Sequence, residues 1–318
     1  MTTTQQSSRP RPSWFTRFWA VVRYEMLWNI RKKKFIGALV IAFVLATVNL
    51  VIPAYFHIGQ NPYFAATFSA GNLTFVLFAI VTGMNSISGE YESGTIVPLL
   101  TKPVSRTMVF LGKLFATFLV ILVSYAVIFT YSTVGGIIVY GPQNSLYLVP
   151  LALLGDIIST FIWLAVVLAA GSISKSSLLA LLTGFGLFVA LVIGGGLFSA
   201  FSTNPQVLNY IPGGGALGTL NVAVGQNVTV ANVTVNSLTS VSTGTDNIGA
   251  NIVKTILFPN ASALFYHSNP LITTQIPTLI YTEPISLITL RAIGIAFAYI
   301  LVFLLIAWYA FKRSQILE

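Results

Sequence analysis

The distribution of charged residues constrains this chain more than any other feature. Only 7% of its 318 residues are Asp, Glu, Lys or Arg. Several stretches without charge are long enough to cross a bilayer, which takes about 20 apolar residues per helix. A soluble domain with 55% hydrophobic residues and so little charge would be insoluble. We therefore predict an all-α polytopic membrane protein.

The positions of the basic residues predict how these helices are oriented. Of the 16 Lys and Arg residues, all but Lys254 and Arg291 would lie on one side of the membrane: before the first span, after the last, or in or next to alternate connections. Basic residues concentrate on the cytoplasmic side of membrane proteins, so we expect a multi-pass plasma-membrane protein with both termini in the cytoplasm. The net charge is +9, and the basic residues that produce it flank apolar spans and do not form the basic face of a soluble domain. We therefore expect membrane lipid, and no nucleic acid, as a partner.

The N-terminal segment predicts a helix that lies on the membrane surface. Residues 1–12 are polar and read as a disordered cytoplasmic tail. Ser13 can cap a helix through Ile30, and a basic cluster at residues 31–34 suits anionic lipid. The apolar residues of that helix recur at spacings of three and four: Phe15, Phe18, Trp19, Val22, Met26 and Ile30. Residues 13–34 are thus predicted to form an amphipathic interfacial element, an elbow before the first span.

The apolar stretches predict six transmembrane helices. They cover residues 35–55, 64–88, 109–130, 146–173, 178–198 and 285–311. Apolar character in the third continues to Tyr140, where Gly141 and Pro142 break it. Spans one to five, with a cytoplasmic loop at 89–106, therefore occupy residues 35–198. Span six and a short cytoplasmic tail occupy 285–318.

The segment between spans five and six, residues 199–284, is too long for a simple connection and predicts a small external domain. Its valines alternate with polar residues near position 230, which favours β-strands. Asn227, Asn232 and Asn260 each begin an Asn-x-Ser/Thr triplet, the acceptor pattern for N-glycosylation. Such triplets also arise by chance, so glycosylation and a coincidental pattern both remain open here.

The strongest local motif lies directly after the second span. Residues 89–96 read Gly-Glu-Tyr-Glu-Ser-Gly-Thr-Ile, residues 98–106 read Pro-Leu-Leu-Thr-Lys-Pro-Val-Ser-Arg, and Gly112-Lys113 follow. Glu90 and Glu92 cannot lie in hydrocarbon, so they mark the exit from the membrane. Thr95 can cap a short helix that Pro103 ends. An ordinary solvated loop without a partner is the alternative interpretation.

This motif resembles the permease subunits of ATP-binding-cassette exporters, in the type 2 integral membrane permease family. In that family an acidic residue ends span two, and a short coupling helix then docks in a groove of the ATPase. The resemblance extends to the whole chain as an elbow helix plus six spans. It implies a set of ATPase-docking residues in this sequence: Glu90, Glu92, Gly94, Thr95, Ile96, Leu99, Leu100, Pro103, Arg106 and Lys113.

Catalytic motifs are missing from the sequence. No Gly-x-x-x-x-Gly-Lys-Ser/Thr loop occurs, and the two histidines have no metal-ligand spacing. We therefore expect no catalytic residue, no metal and no cofactor bound by this chain. The resemblance implies two separate ATPase subunits that carry ATP and Mg²⁺. A second permease copy, identical or similar, is expected to complete the translocation path, because six spans are few to enclose a path for a substrate.

Asp156 is the one acid that lies well inside a predicted span. A charge at such depth is costly and usually has a partner or faces a water-filled path. Arg291 lies at a similar predicted depth in span six. We therefore predict an ion pair between these two residues, with direct substrate contact by Asp156 as the alternative.

These observations together predict an exporter half-permease that moves or flips a lipid, peptide or other amphipathic substrate. The alternative from another class is a non-transporting membrane scaffold whose external domain binds surface partners. An ion-coupled carrier is disfavoured, because it would need more intramembrane charges and an inverted repeat.

Overall fold

The computed structural model describes residues 13–55, 62–94, 105–201, 205–221, 227–230, 233–267 and 278–313. The predicted tail at 1–12 and most of the predicted docking loop, residues 95–104, lie outside this part. So do Thr95, Ile96, Leu99, Leu100 and Pro103, and the predicted glycosylation site at Asn232.

Helices dominate the described residues. In chain order they are α1 (Trp14–Ile30), α2 (Lys33–Tyr55), α3 (Asn72–Gly83), α4 (Ser88–Glu92), α5 (Arg106–Tyr140), α6 (Val149–Ser174), α7 (Ser177–Phe201), α8 (Ile248–Leu257) and α9 (Ile285–Arg313). Six of the helical segments are long and apolar enough to span a membrane: α2, α3 together with α4, α5, α6, α7 and α9. The prediction of six spans is confirmed.

Helix α1 begins where the sequence predicts. The Ser13 hydroxyl accepts a hydrogen bond from the Thr16 amide at 3.2 Å, which satisfies one free N–H of the first turn. The face that packs against the protein carries Val22, Glu25 and Asn29, so it is more polar than the predicted apolar stripe. Much of that stripe, including Phe15 and Trp19, faces outward.

The second span differs from its prediction. A helix from residue 64 is wrong: residues 62–67 form turns, and α3 begins only at Asn72, after Gly71 with a positive φ of 82°. The irregular stretch is buried, and its backbone is satisfied by side chains. Ala65 N–H donates to Gln143 Oε1 at 3.0 Å, and Ala70 N–H donates to Asp156 Oδ2 at 2.7 Å. Non-helical backbone at membrane depth requires such internal partners.

Helix α6 lies at the centre of the bundle. It is the most buried span, with 72% of its most apolar stretch inside the protein, and it packs against α3, α7 and α9. Large side chains fill this centre, including Trp163 of α6, Tyr125 of α5 and Phe75 and Phe78 of α3. Helices α2, α9 and α7 are far more exposed, with 28%, 17% and 11% of their most apolar stretches buried.

The segment between α7 and α9 contains a five-stranded antiparallel sheet of order β2-β3-β1-β4-β5. Its strands are β1 (Leu217–Asn221), β2 (Asn227–Val230), β3 (Val233–Ser242), β4 (Ser262–His267) and β5 (Thr278–Pro284). The predicted valine strands pair as a hairpin, with Val228 opposite Val235 and Val230 opposite Val233. Helix α8 crosses α6 so closely that a Cβ on Gly155 would lie 2.3 Å from Gly249 Cα.

Candidate functional site

The short helix α4 carries both acids of the Gly-Glu-Tyr-Glu motif. Glu90 and Glu92 are two positions apart, a spacing that puts side chains on different sides of a helix. Glu90 contacts Lys113 of α5, whereas Glu92 contacts Ser177 at the start of α7. The two acids of one motif therefore connect α4 to two different parts of the bundle.

A buried ion cluster joins α1, α4 and α5. Lys113 Nζ lies 2.5 Å from Glu25 Oε1 and 2.7 Å from Glu90 Oε1. Lys113 is only 3% exposed and Glu25 only 4%. The second carboxylate oxygens of Glu25 and Glu90 are buried, and neither has a hydrogen-bond partner among the residues that the structure describes. Removing one member of a buried ion pair typically costs about 3–5 kcal/mol, so this cluster holds the three helices together.

Lys32 adds a further positive charge beside the cluster. Its ammonium donates to Asn29 Oδ1 at 2.9 Å and lies 3.2 Å from the centre of the Trp28 ring. Burial lowers the pKa of Lys32 to about 7; Glu25 opposes this shift and Lys113 adds to it. The junction of α1 and α2 thus contains a lysine that titrates near neutral pH.

The other acid, Glu92, caps helix α7. Its carboxylate accepts hydrogen bonds from the Ser177 amide at 2.7 Å and from the Ser177 hydroxyl. Ser177 is the first residue of α7, where free N–H groups and the positive end of the helix dipole favour an anion. Glu92 itself is exposed, so water competes for this contact.

Helix α4 also rests on the corner between α6 and α7. Lys175 follows α6 in the left-handed conformation with φ 55°, which produces a tight turn between α6 and α7. Its ammonium lies 5.5 Å from the centre of the Tyr91 ring. Gly171 lets Ser88 approach, because an added Cβ would lie 3.3 Å from Ser88 Oγ.

The described members of the predicted docking set differ in how far they are exposed to solvent. Lys113 is buried and pairs with Glu25 and Glu90, so the structure shows an internal contact for it, and its docking role stays a prediction. Arg106 begins α5 and donates to the Lys312 carbonyl at the end of α9, at 3.0 Å. Gly94 is exposed, with a positive φ of 67°. Glu25 was missed by sequence reasoning, although it is the one acid in an otherwise apolar and basic helix.

The predicted ion pair between Asp156 and Arg291 does not form. Asp156 is fully buried and accepts hydrogen bonds from Ser69 Oγ at 3.1 Å and from Ala70 N–H. Arg291 makes a two-pronged contact with Glu283, at 2.6 and 2.9 Å. The prediction failed because it took residues 64–71 as helix, which leaves no free backbone for Asp156 to bind.

Two of the three predicted glycosylation sites lie in the described part of the chain, in or near the sheet. Asn227 begins β2, and Asn260 is exposed in the turn before β4. Their modification stays a prediction. Within the described ranges, no group of three or more His, Asp or Glu side chains is placed to hold a metal ion.

Comparison with known families agrees with this architecture. The model of the ABC-2 family transporter protein matches residues 19–316, from α1 through the sheet and α9. A comparison with curated proteins gives no match. Because the family model covers nearly the whole chain, this protein belongs to the ABC-2 transporter family as a membrane permease component.

Proposed function

We propose that this chain is the half-permease of an ATP-driven exporter, which works with two separate ATPase subunits. The observation that carries the proposal is the position of α4. This helix is tied to α1 and α5 through Lys113 and to α7 through Ser177. It leads directly into the loop that resembles an ATPase-docking segment. A push on that loop would therefore reach several spans at once.

The packing of the bundle supports a path between two permease copies. In the described part of the chain, large aromatic side chains such as Trp163 and Tyr125 are buried at the centre of the bundle, which argues against a substrate path through a single copy. Helices α2, α7 and α9 are largely exposed and are available to face lipid or a second copy. We therefore place the path between two copies, identical or similar. Rigid-body shifts of spans would open and close it.

The exposed faces of these helices are apolar, which suits a lipid, an apolar peptide or another amphipathic substrate. In the proposed orientation both termini and the α4 end of the bundle are cytoplasmic, and the sheet is external. The basic residues of α1 and of the following junction support this orientation through the positive-inside rule.

The test uses tagged permease purified from its native membrane. We expect an ABC ATPase to co-purify, and its ATP hydrolysis to depend on the permease. Replacing both Leu99 and Leu100 by Asp should remove the ATPase from the complex, since burying each leucine is worth about 1.5–3 kcal/mol. The matched control Ser93→Asp puts a charge on an exposed position of the same loop and should retain the ATPase.

An assembly without any ATPase would contradict the proposal and favour a membrane scaffold. Unchanged complex yield and hydrolysis in the double leucine variant would contradict the docking role of the loop.

A further inference from the structure

Two contacts of different strength hold α4 in place. On the α1 and α5 side, Lys113 is enclosed between Glu25 and Glu90; Lys113 and Glu25 are almost completely buried, so water has little access to replace a lost partner. On the α7 side, the carboxylate of Glu92 is exposed, so water can replace Ser177 at small cost. A displaced α4 would therefore release α7 before it releases α1 or α5.

Further buried contacts near the ion cluster add to the attachment of α4 on the α1 and α5 side. A Cβ on Gly112 of α5 would lie 3.3 Å from Val21 Cβ of α1, so these two helices pack in close contact. Phe110 of α5 meets Phe311 of α9 with ring centres 6.2 Å apart, and both rings are buried. Helices α1, α4, α5 and the end of α9 are thus connected by buried contacts.

The weaker side has features that permit movement. Residues 84–87 form a turn that interrupts the second span between α3 and α4, so α4 can pivot without moving α3. The surfaces that meet there are small: Ser88 lies against Gly171 and Ala180. Small side chains interlock little, which lowers the barrier to sliding. Tyr91 of α4 also contacts Lys175, with 5.5 Å between the ammonium and the ring centre.

We propose that the contact between Glu92 and Ser177 is a releasable latch between α4 and span five, and that the Glu25–Lys113–Glu90 cluster stays closed. Glu92 is then a positioning residue, because it fixes the first turn of α7 against α4. This latch rests on the proposed function in one respect, because the ATPase is what would supply the force that displaces α4. The latch itself is a property of the permease and can be tested without an ATPase.

The first experiment measures distances in the permease alone. The chain has no cysteine, so pairs of spin labels can be placed at will in protein held in lipid nanodiscs. One pair, Ser93→Cys with Leu179→Cys, spans the latch. The other pair, Ser93→Cys with Tyr24→Cys, spans the ion cluster; Leu179 and Tyr24 are 50% and 67% exposed.

Adding Glu92→Ala should create a longer distance population across the latch and leave the pair across the cluster unchanged. An unchanged latch distance would overturn the proposal, because Glu92 would then not hold α4 to α7. A shift of both pairs together would also overturn it, because the two sides would then not move independently.

The second experiment locks each side in the complex with the co-purified ATPase. A short bis-methanethiosulfonate reagent, which forms a reducible disulfide with each of Glu92→Cys and Ser177→Cys, should lower ATP hydrolysis by about tenfold or more, because a step that must open is blocked. Cleaving the bridge with a reductant should restore hydrolysis. A disulfide between Val21→Cys and Gly112→Cys locks the other side and should leave hydrolysis unchanged.

Full hydrolysis with the latch bridged would overturn the proposal, as would inhibition by the Val21–Gly112 disulfide. If no ATPase co-purifies, the proposed function fails, and the spin-label distances still decide whether the latch exists.

Discussion

Lys113→Met tests the buried ion cluster most directly. The substitution keeps most of the side-chain volume but removes the one ammonium that lies between Glu25 and Glu90. Both carboxylates then lose this hydrogen-bond donor in a largely buried site, and the two like charges repel each other. We expect a loss of about 3–5 kcal/mol, the usual cost of leaving a buried charge without its partner.

The assay is thermal unfolding of the purified permease in nanodiscs. At about 2–4 °C per kcal/mol for a chain of 150 residues or more, the loss corresponds to a decrease in Tm of roughly 10 °C. The matched control is Lys175→Met, whose ammonium lies 5.5 Å from the Tyr91 ring and makes a cation–π contact near the surface. Such contacts contribute about 0.5–1 kcal/mol, so the control should lose only a few degrees.

A second substitution separates the charge effect from packing. Adding Glu25→Gln to Lys113→Met removes one of the two orphaned carboxylates, so the double variant should be more stable than Lys113→Met alone. Wild-type stability of Lys113→Met, or further loss in the double variant, would refute the reasoning that the cluster is held by charge.

Three further predictions concern other parts of the chain. Asp156→Ala leaves the buried Ala70 N–H unsatisfied and should lower the free energy of unfolding by about 1–3 kcal/mol, measured by thermal unfolding. When it is combined with Arg291→Gln, the two losses should add within about 0.5 kcal/mol. A strong deviation from additivity would show that Asp156 and Arg291 interact. Cysteines at Ser93 and at Leu217, which is 74% exposed, should differ in labelling by an impermeant thiol reagent on intact cells, and equal labelling would reject the proposed orientation. Burial lowers the pKa of Lys32 from 10.5 to about 7, so the unfolded chain binds more protons between these values and stability should rise with pH across this window. The Tm of Lys32→Met should lack this rise, and a constant difference between variant and wild type from pH 6 to 9 would contradict it.

The overall plan of the protein follows from local and compositional properties of the sequence. A bilayer demands long uncharged helices, so six spans could be located without any knowledge of their packing. The cap at Ser13, the end of α5 at Gly141 and the valine hairpin of β2 and β3 also depend on neighbours close in sequence. Each was predictable because the residues that determine it lie within one short segment.

The partners of the buried polar groups were decided only by the tertiary structure. Lys113 and Glu25 are 88 positions apart, Asp156 and Ala70 are 86 apart, and Glu92 and Ser177 are 85 apart. A buried charge must find a partner, but the sequence does not say which one, because packing brings distant helices together. The same reason explains the late start of α3. The apolar residues before Asn72 fit a helix equally well, and the distant side chains of Asp156 and Gln143 supply hydrogen bonds that the irregular backbone needs.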